Sequence, residues 1–397
     1  MNYEWIIFVA TLVCVALFHK RVLPIAASGL AITLIYKLII GTGDVGTILI
    51  HEAPLLLNLT GLLLGFEVLA IYMTQTKIAQ IIPKYLPDDW KGPFFLLAIT
   101  CFLASFLDHI AAALIGGSIA LVVFNKRVHI SYIAAIVAAS NVGGAGSVLG
   151  NITTTMLWLG GISPFKLMHA YIGAIVSFAI FGIVAAIQQH RYHPIRKDEI
   201  GHHRIHYKPL FAVLLMLIGT IAGNVTIGWP SLGLWIGIII SQFFARTPIE
   251  TLQKVYKLPF IKIEFKIPAP ISSVGHVLPN TLFLLSLVTM ASLMPLNALP
   301  DPTPYTTFAL GWISAVFDNI PLTKLALNQG GYDWGLLSFS VGVGGSMIWF
   351  GSASGVAITT LFPEAKSVWN WVKGGWIIPI AFTIGYFFQL LVFGWNH

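Results

Sequence analysis

Charge is scarce in this chain. Only 9% of its 397 residues are Asp, Glu, Lys or Arg, against about 25% in soluble domains. A soluble α/β protein such as a dinucleotide-binding oxidoreductase is excluded, because apolar runs of about 20 residues recur along the whole length instead of filling one core. Cysteine is scarcer still. Cys14 and Cys101 are the only two and both lie in apolar stretches, which supports neither a disulfide framework nor a metal site. A P-loop with its lysine, an HExxH pair and a GxSxG elbow are all lacking, so neither ATP-driven pumping nor a hydrolase site is indicated. The chain reads as a non-enzyme that needs no cofactor.

What the chain has in abundance is apolar surface, 57% of its residues, which marks an all-α polytopic membrane protein embedded in lipid. The first run, Trp5–Phe18, follows Glu4 and leads straight into His19, Lys20 and Arg21 without a small-residue cleavage site. It is expected to be a first helix, not a signal peptide. A net charge of +7 suggests nucleic acid, but its distribution argues against that partner. Basic residues gather in short segments at Lys20-Arg21, Lys77 to Lys91, Lys126-Arg127, Arg191 to Lys208, Arg246 to Lys266 and Lys366 to Lys373. The positive-inside rule puts all six in the cytoplasm. Lys37, Lys166 and Lys324 stand apart from them.

That placement dictates a path. Helices at about 3–18 and 22–40 run in and out, Asp44 and Glu52 lie outside, and a helix at about 54–74 returns. Lys91 and Lys126 are then both inside, about 34 residues apart. One helix of that length would span about 51 Å and end on the wrong side, while two full spans need about 40 residues plus a turn. A re-entrant hairpin turning near Asp108 fits. A broken helix follows at about 131–160, then a helix at about 167–188. After the basic loop, helices at about 209–224, 230–245 and 277–297 lead to a second hairpin at about 303–329 with Asp318 near its turn. A broken helix at about 334–362 and a last helix at about 374–394 complete about ten transmembrane helices plus two re-entrant hairpins. The predicted units are repeat one over 1–190, a basic cytoplasmic loop over 191–207 and an inverted repeat two over 208–397, with both termini on the periplasmic side of a bacterial inner membrane.

The halves match in sequence. LDHIAAA followed by GGAGSVLGNIT in the first corresponds to FDNIPLT followed by GGSMIWFGSAS in the second. Gly143 precedes Gly150 by seven positions, as Gly344 precedes Gly351, and a polar residue follows each: Asn151 and Ser352. Matching motifs in halves of opposite orientation mark an inverted-repeat transporter whose broken helices meet at the bilayer midplane. Glycines release backbone groups that cost several kcal/mol each if they face lipid, so the breaks must line a cavity. Candidate ligands there are Ser140, Asn141, Gly143, Gly144, Asn151, Thr153 and Thr154 in the first half, and Asn319, Gly344, Gly345, Ser346, Ser352 and Ser354 in the second. Freed carbonyls suit a cation and freed amides suit a carboxylate.

Asp108 and Asp318, each in apolar sequence, have the chemistry of coupling groups: a buried carboxylate pairs, binds a cation or takes a proton. Each is also a good helix cap. Glu67 is either a relay group or a snorkelling interfacial acid. His109 is a candidate modulator beside Asp108, although a lone histidine is more often simply hydrogen-bonded. Lys324 is either an internal counter-ion or, the favoured placement, a residue at the outer surface. His190, His193, His202, His203 and His206 read as part of a solvated basic loop.

At these residues the chain resembles the NhaD-type sodium/proton antiporters of the ion transporter superfamily, which also contains arsenite and citrate carriers. FDNIPLT, GVGGSMIWFGSASGVA and SNVGGAGSVLGNITTTMLWLGG carry the likeness, from about residue 55 onward. The resemblance implies an inverted-repeat fold, a homodimer, and sodium or lithium efflux driven by inward proton flow, with a Na+ site near Asn141, Asn151 and Asp318. Three positions depart from that pattern: Asn151 where an aspartate is usual, His109 where an asparagine is usual, and the charge of Lys324. Hard cations prefer oxygen ligands with negative charge. A proton- or sodium-coupled carrier of a carboxylate such as citrate is therefore the second reading, and a channel-like or sensory protein without coupled transport the third.

Overall fold

A computed structural model describes residues 3–18, 21–40, 45–195, 204–245 and 277–396. Its regular elements are helices throughout. The first are α1 (Tyr3–Leu17), α2 (Val22–Ile40), α3 (Val45–Gln75) and a short amphipathic α4 (Ile78–Tyr85). Then come α5 (Lys91–Ala104), α6 (His109–Val123), α7 (Ile130–Ala145), α8 (Ile152–Leu159), α9 (Pro164–Met168) and α10 (Ala170–Tyr192). Next are α11 (Tyr207–Ile227), α12 (Pro230–Ala245) and α13 (Val277–Ser292). The chain continues through α14 (Pro304–Ser314), α15 (Asn319–Gln329), α16 (Trp334–Gly344), α17 (Ala353–Leu361), α18 (Val368–Gly374) and α19 (Ile377–Phe393). The histidines at 202 and 203 and the connector over 246–276 lie outside the described residues.

Among the described residues, four helices are long and apolar enough to cross a membrane by themselves: α2, α3, α11, and α9 with α10 taken as one. The bent pair α18 and α19, which meet at 58°, makes a fifth. Large apolar side chains point outward along these helices, among them Ile39, Ile50, Val225 and Leu391, as lipid contact requires.

Two expectations are corrected. The third helix starts at Val45 and not near residue 54, so it encloses Glu52, which is buried and does not lie in an outer turn. Lys324, expected at the surface, is 2% exposed. The two corrections have one cause: Lys324 Nζ donates to Glu52 Oε2 at 2.7 Å, and each buried charge is neutralised by the other. A second buried pair, Lys37 Nζ to Glu4 Oε1 at 3.3 Å, joins α2 to α1.

Packing separates an outer set of helices from an inner one. In the outer set α1 packs on α2 and α11 on α12, while α2 packs on α13 and α12 on α3. In the inner set α5 packs on α7 as α14 does on α16, and α6 packs on α17 as α15 does on α8. Each interrupted helix thus leans on elements from both halves of the chain. Small residues permit the closest approaches. A Cβ at Gly143 would overlap the Cys101 carbonyl oxygen, and one at Gly344 would overlap that of Gly311.

Candidate functional site

Four helix interruptions, at residues 105–108, 146–151, 315–318 and 345–352, converge at the centre of the inner set. Each resumes at a polar cap. Asp108 accepts from the backbone N–H of Ile110 at 3.0 Å and Asp318 from that of Ile320 at 2.9 Å, with nearly identical backbone angles of −52°, 138° and −52°, 139°. Asn151 accepts from Thr153 N at 3.2 Å and Ser352 from Gly355 N at 3.3 Å. Short polar side chains at these positions satisfy amides that an α-helix start leaves unpaired. Capping uses one oxygen of each aspartate and leaves the other for chemistry.

Direct bonds tie the interruptions together. His109 N donates to Gly150 O at 2.9 Å, joining the first break to the second. A Cβ at Gly150 would collide with the Ala104 carbonyl, and one at Gly351 with that of Ala315, so both glycines are required where backbone meets backbone. Asn141 crosses between the halves: its Nδ2 donates to Ser346 Oγ at 2.8 Å and Ser352 Oγ at 3.3 Å, and its Oδ1 accepts from Ser354 Oγ at 3.2 Å. Trp371 Nε1 supports the same region by donating to Ser346 O at 3.2 Å. Asn141→Ala removes all three side-chain bonds and leaves buried serine hydroxyls short of partners, at about 1–3 kcal/mol. A lowered thermal midpoint in detergent is the expected outcome, measured by fluorescence-detected gel filtration.

The threonines divide by role. Thr154 Oγ1 donates to Ser147 O and to Asn151 O, and Thr155 Oγ1 reaches Val148 O at 2.8 Å and Asn151 O at 2.9 Å. Both hydroxyls serve carbonyls released by the break. Ser140 Oγ is similarly spent on Val137 O at 2.9 Å. By contrast Thr153 Oγ1, Asn151 Nδ2 and Asn319 Nδ2 are buried without a hydrogen-bond partner. Unpaired polar atoms in a protein interior are costly, and their grouping beside the breaks marks a place where a polar ligand would be received.

The acids face this place. Glu67, Asp108 and Asp318 are each partly exposed, next to neutral polar residues that are fully buried. Glu67 on α3 lies close enough to Asp108 for their charges to interact. His109, 1% exposed, has its Nδ1 3.0 Å from Asp108 Oδ1 and is felt electrostatically by Asp318. The imidazole therefore touches the aspartate of its own break and lies within electrostatic range of the other. Gly143, Gly144, Gly344 and Gly345 contribute close backbone approach, with Gly144 packed on Gly150 O and Gly345 on Gly351 O. Lys324 does not join the group. It points away to Glu52.

Sequence reasoning missed several supporting residues. Ser105 Oγ donates to Gly143 O at 3.0 Å, Tyr171 OH to the same oxygen at 3.3 Å, and Ser338 Oγ to Ala145 O across the halves. A hydroxyl amid apolar residues was the available signal for each. Among the described residues no three His, Cys, Asp or Glu side chains gather as metal ligands, so a cation held here would rest largely on neutral oxygens.

Interrupted helices that pool capped ends, acids and unpaired amides inside an apolar bundle present a small polar site, the architecture of a secondary transporter. The profile of the citrate transporter family, CitMHS, matches residues 6–258, and the chain belongs to that family. It is also similar to the Na(+)/H(+) antiporter NhaD of Vibrio cholerae, 25% identical over 339 residues that cover 76% of this chain and 70% of the relative. The NhaD of Vibrio parahaemolyticus is 26% identical, with 68% and 73% covered. That of Alkalimonas amylolytica is 27% identical, with 76% and 69% covered.

Proposed function

We propose that this protein is a cation/proton antiporter that exchanges Na+ or Li+ for protons across a bacterial inner membrane, with Asp108 and Asp318 as the exchanging carboxylates and Glu67 as a relay. The observation that carries this reading is that two helix-capping aspartates stand at breaks beside buried polar atoms without partners. A carboxylate in such a place is occupied by a proton or by a cation, and competition between them is exchange. The relatives' names, Na(+)/H(+) antiporters, agree with it.

In this reading the cation lies near Asn141, Asn151 and Asp318, with Thr153, Thr154, Asn319, Ser346, Ser352 and Ser354 lining or supporting the site. The helix pairs α5–α6 and α14–α15 act as re-entrant hairpins. Their arms of 11 to 15 residues reach about 16–22 Å, short of the 30 Å hydrocarbon layer. Residues 1–190 and 208–397 then form inverted repeats joined by the basic loop at 191–207, giving about ten spans. The reciprocal packing of α6 on α17 and of α15 on α8 supports that symmetry. The basic segments orient the loop to the cytoplasm and both termini to the periplasm. The functional unit is a homodimer in lipid.

One observation favours a second reading. Asn151 Nδ2 and Asn319 Nδ2 are unpaired donors, and donors beside helix N-termini suit a carboxylate, the cargo in the family's name. Proteoliposomes separate the two. Dissipation of an imposed pH gradient by added Na+ or Li+ supports the antiporter. Citrate uptake without cation-driven proton efflux supports the carrier, and the absence of either coupled flux leaves an uncoupled or sensory protein. Asn151→Asp places a charged oxygen where a hard cation prefers one, so it is expected to lower the half-saturating Na+ concentration in that assay. No change would remove Asn151 from the cation's surroundings.

A further inference from the structure

The buried ion pair of Glu52 and Lys324 has no place in the exchange chemistry, yet it joins the second hairpin to the outer helices. The side chains of Lys324 and Glu52 are 3% and 11% exposed and meet at 2.7 Å. They come from α15 and α3, 272 positions apart in sequence. The helices that carry the pair share an apolar core: Leu59, Leu287, Ile320 and Leu325 belong to the one cluster on which α3, α13 and α15 pack.

The two hairpins differ in how they are held. Arms α5 and α6 pack extensively against each other, whereas α14 and α15 touch little beyond the break. Arm α15 lies instead on α13 and α8. Among the described residues the first hairpin shows no such ion pair to the outer helices: the residue six positions after Asp108 is Leu114, where Lys324 stands six positions after Asp318. The arm with least support from its own hairpin is the one fastened by a charge pair. Apolar packing lets a helix slide along its axis with little change in contact area, while a hydrogen-bonded ion pair in low dielectric fixes a register.

We infer that Glu52 and Lys324 are positioning residues that fix the depth of α15, and with it hold Asp318 level with Asn141 and Asn151. The functional half of this inference rests on the antiporter reading; the geometric half does not. Spin labels at residues 50 and 328, in a chain with both native cysteines replaced by alanine, report the α3–α15 distance by electron–electron resonance in liposomes. The parent chain gives one narrow distance. Glu52→Gln and Lys324→Met each broaden or shift it and raise the half-saturating Na+ concentration about tenfold, and the charge swap Glu52→Lys with Lys324→Glu restores both. Should a single variant fail to fold, the double variant Glu52→Gln with Lys324→Met leaves no unpaired buried charge and is expected to show the broad distribution. A narrow, parental distance in the folded single variants or in the double variant overturns the inference. Absence of Na+- or Li+-driven flux in the parent chain would sink the antiporter reading while the distance measurement still decides the pair's role.

Discussion

Asp318→Asn is expected to reduce cation-driven proton movement to the level of protein-free vesicles while leaving the protein folded. The reasoning starts from what the residue does structurally. Its Oδ1 caps α15 by accepting from Ile320 N at 2.9 Å, and asparagine caps a helix about as well as aspartate. The substitution therefore keeps the fold and removes only the ability to carry charge or exchange a proton. Gel filtration and thermal midpoint should match the parent within about 0.5 kcal/mol of stability. Normal transport by a folded variant would take this carboxylate out of the mechanism. If capping were its whole role, the variant would be silent in both assays.

Gly344→Ala is expected to have the largest effect on folding. A Cβ at that position would overlap the carbonyl oxygen, carbonyl carbon and Cα of Gly311. These are backbone atoms of α14 that cannot rotate away. Overpacking a rigid contact costs typically about 1–3 kcal/mol and sometimes more, and here it would push α14 from α16 at the fourth break. Gly342, two positions earlier on the same helix, supplies the control. A Cβ there would meet Asn151 Nδ2 at 3.7 Å and Ala145 Cβ at 3.9 Å, which is ordinary contact. Gly342→Ala should express and melt like the parent, while Gly344→Ala should express poorly or melt several degrees lower. Equal behaviour of the two would mean that α14 and α16 do not meet backbone to backbone at Gly311 and Gly344.

The parts of the architecture written in local sequence could be read directly. Glycine pairs followed by Asn151 and Ser352 announce interruptions because no continuous helix in lipid tolerates that density of backbone-releasing residues. The structure places helix ends at Ala145 and Gly344. Asp108 and Asp318 announce themselves as acids in apolar surroundings, and both capping and a free oxygen follow from one side chain. What local sequence could not give is partnership over distance. Asn141 finds Ser346 at 205 positions and Lys324 finds Glu52 at 272, and hydropathy alone sent both of those charges outward. The extension of α3 back to Val45 has a related origin, since Pro54 discourages a helix interior and Glu52 is costly within lipid unless a distant base neutralises it. The threonine run divides for a reason equally invisible beforehand: whether a hydroxyl serves a ligand or a freed carbonyl depends on how the chain turns between Gly146 and Asn151.

His109 sharpens the question of cargo, since an imidazole 3.0 Å from Asp108 occupies space that a cation would claim. The most direct measurement is a map of the protein equilibrated with Tl+, a strongly scattering monovalent cation, in place of Na+. A single anomalous peak within coordination distance of Asp318, bounded by Asn141, Asn151 and Thr153, is the expected result. A map with no peak at the convergence of the four breaks, in a preparation that transports, would contradict cation exchange at this site.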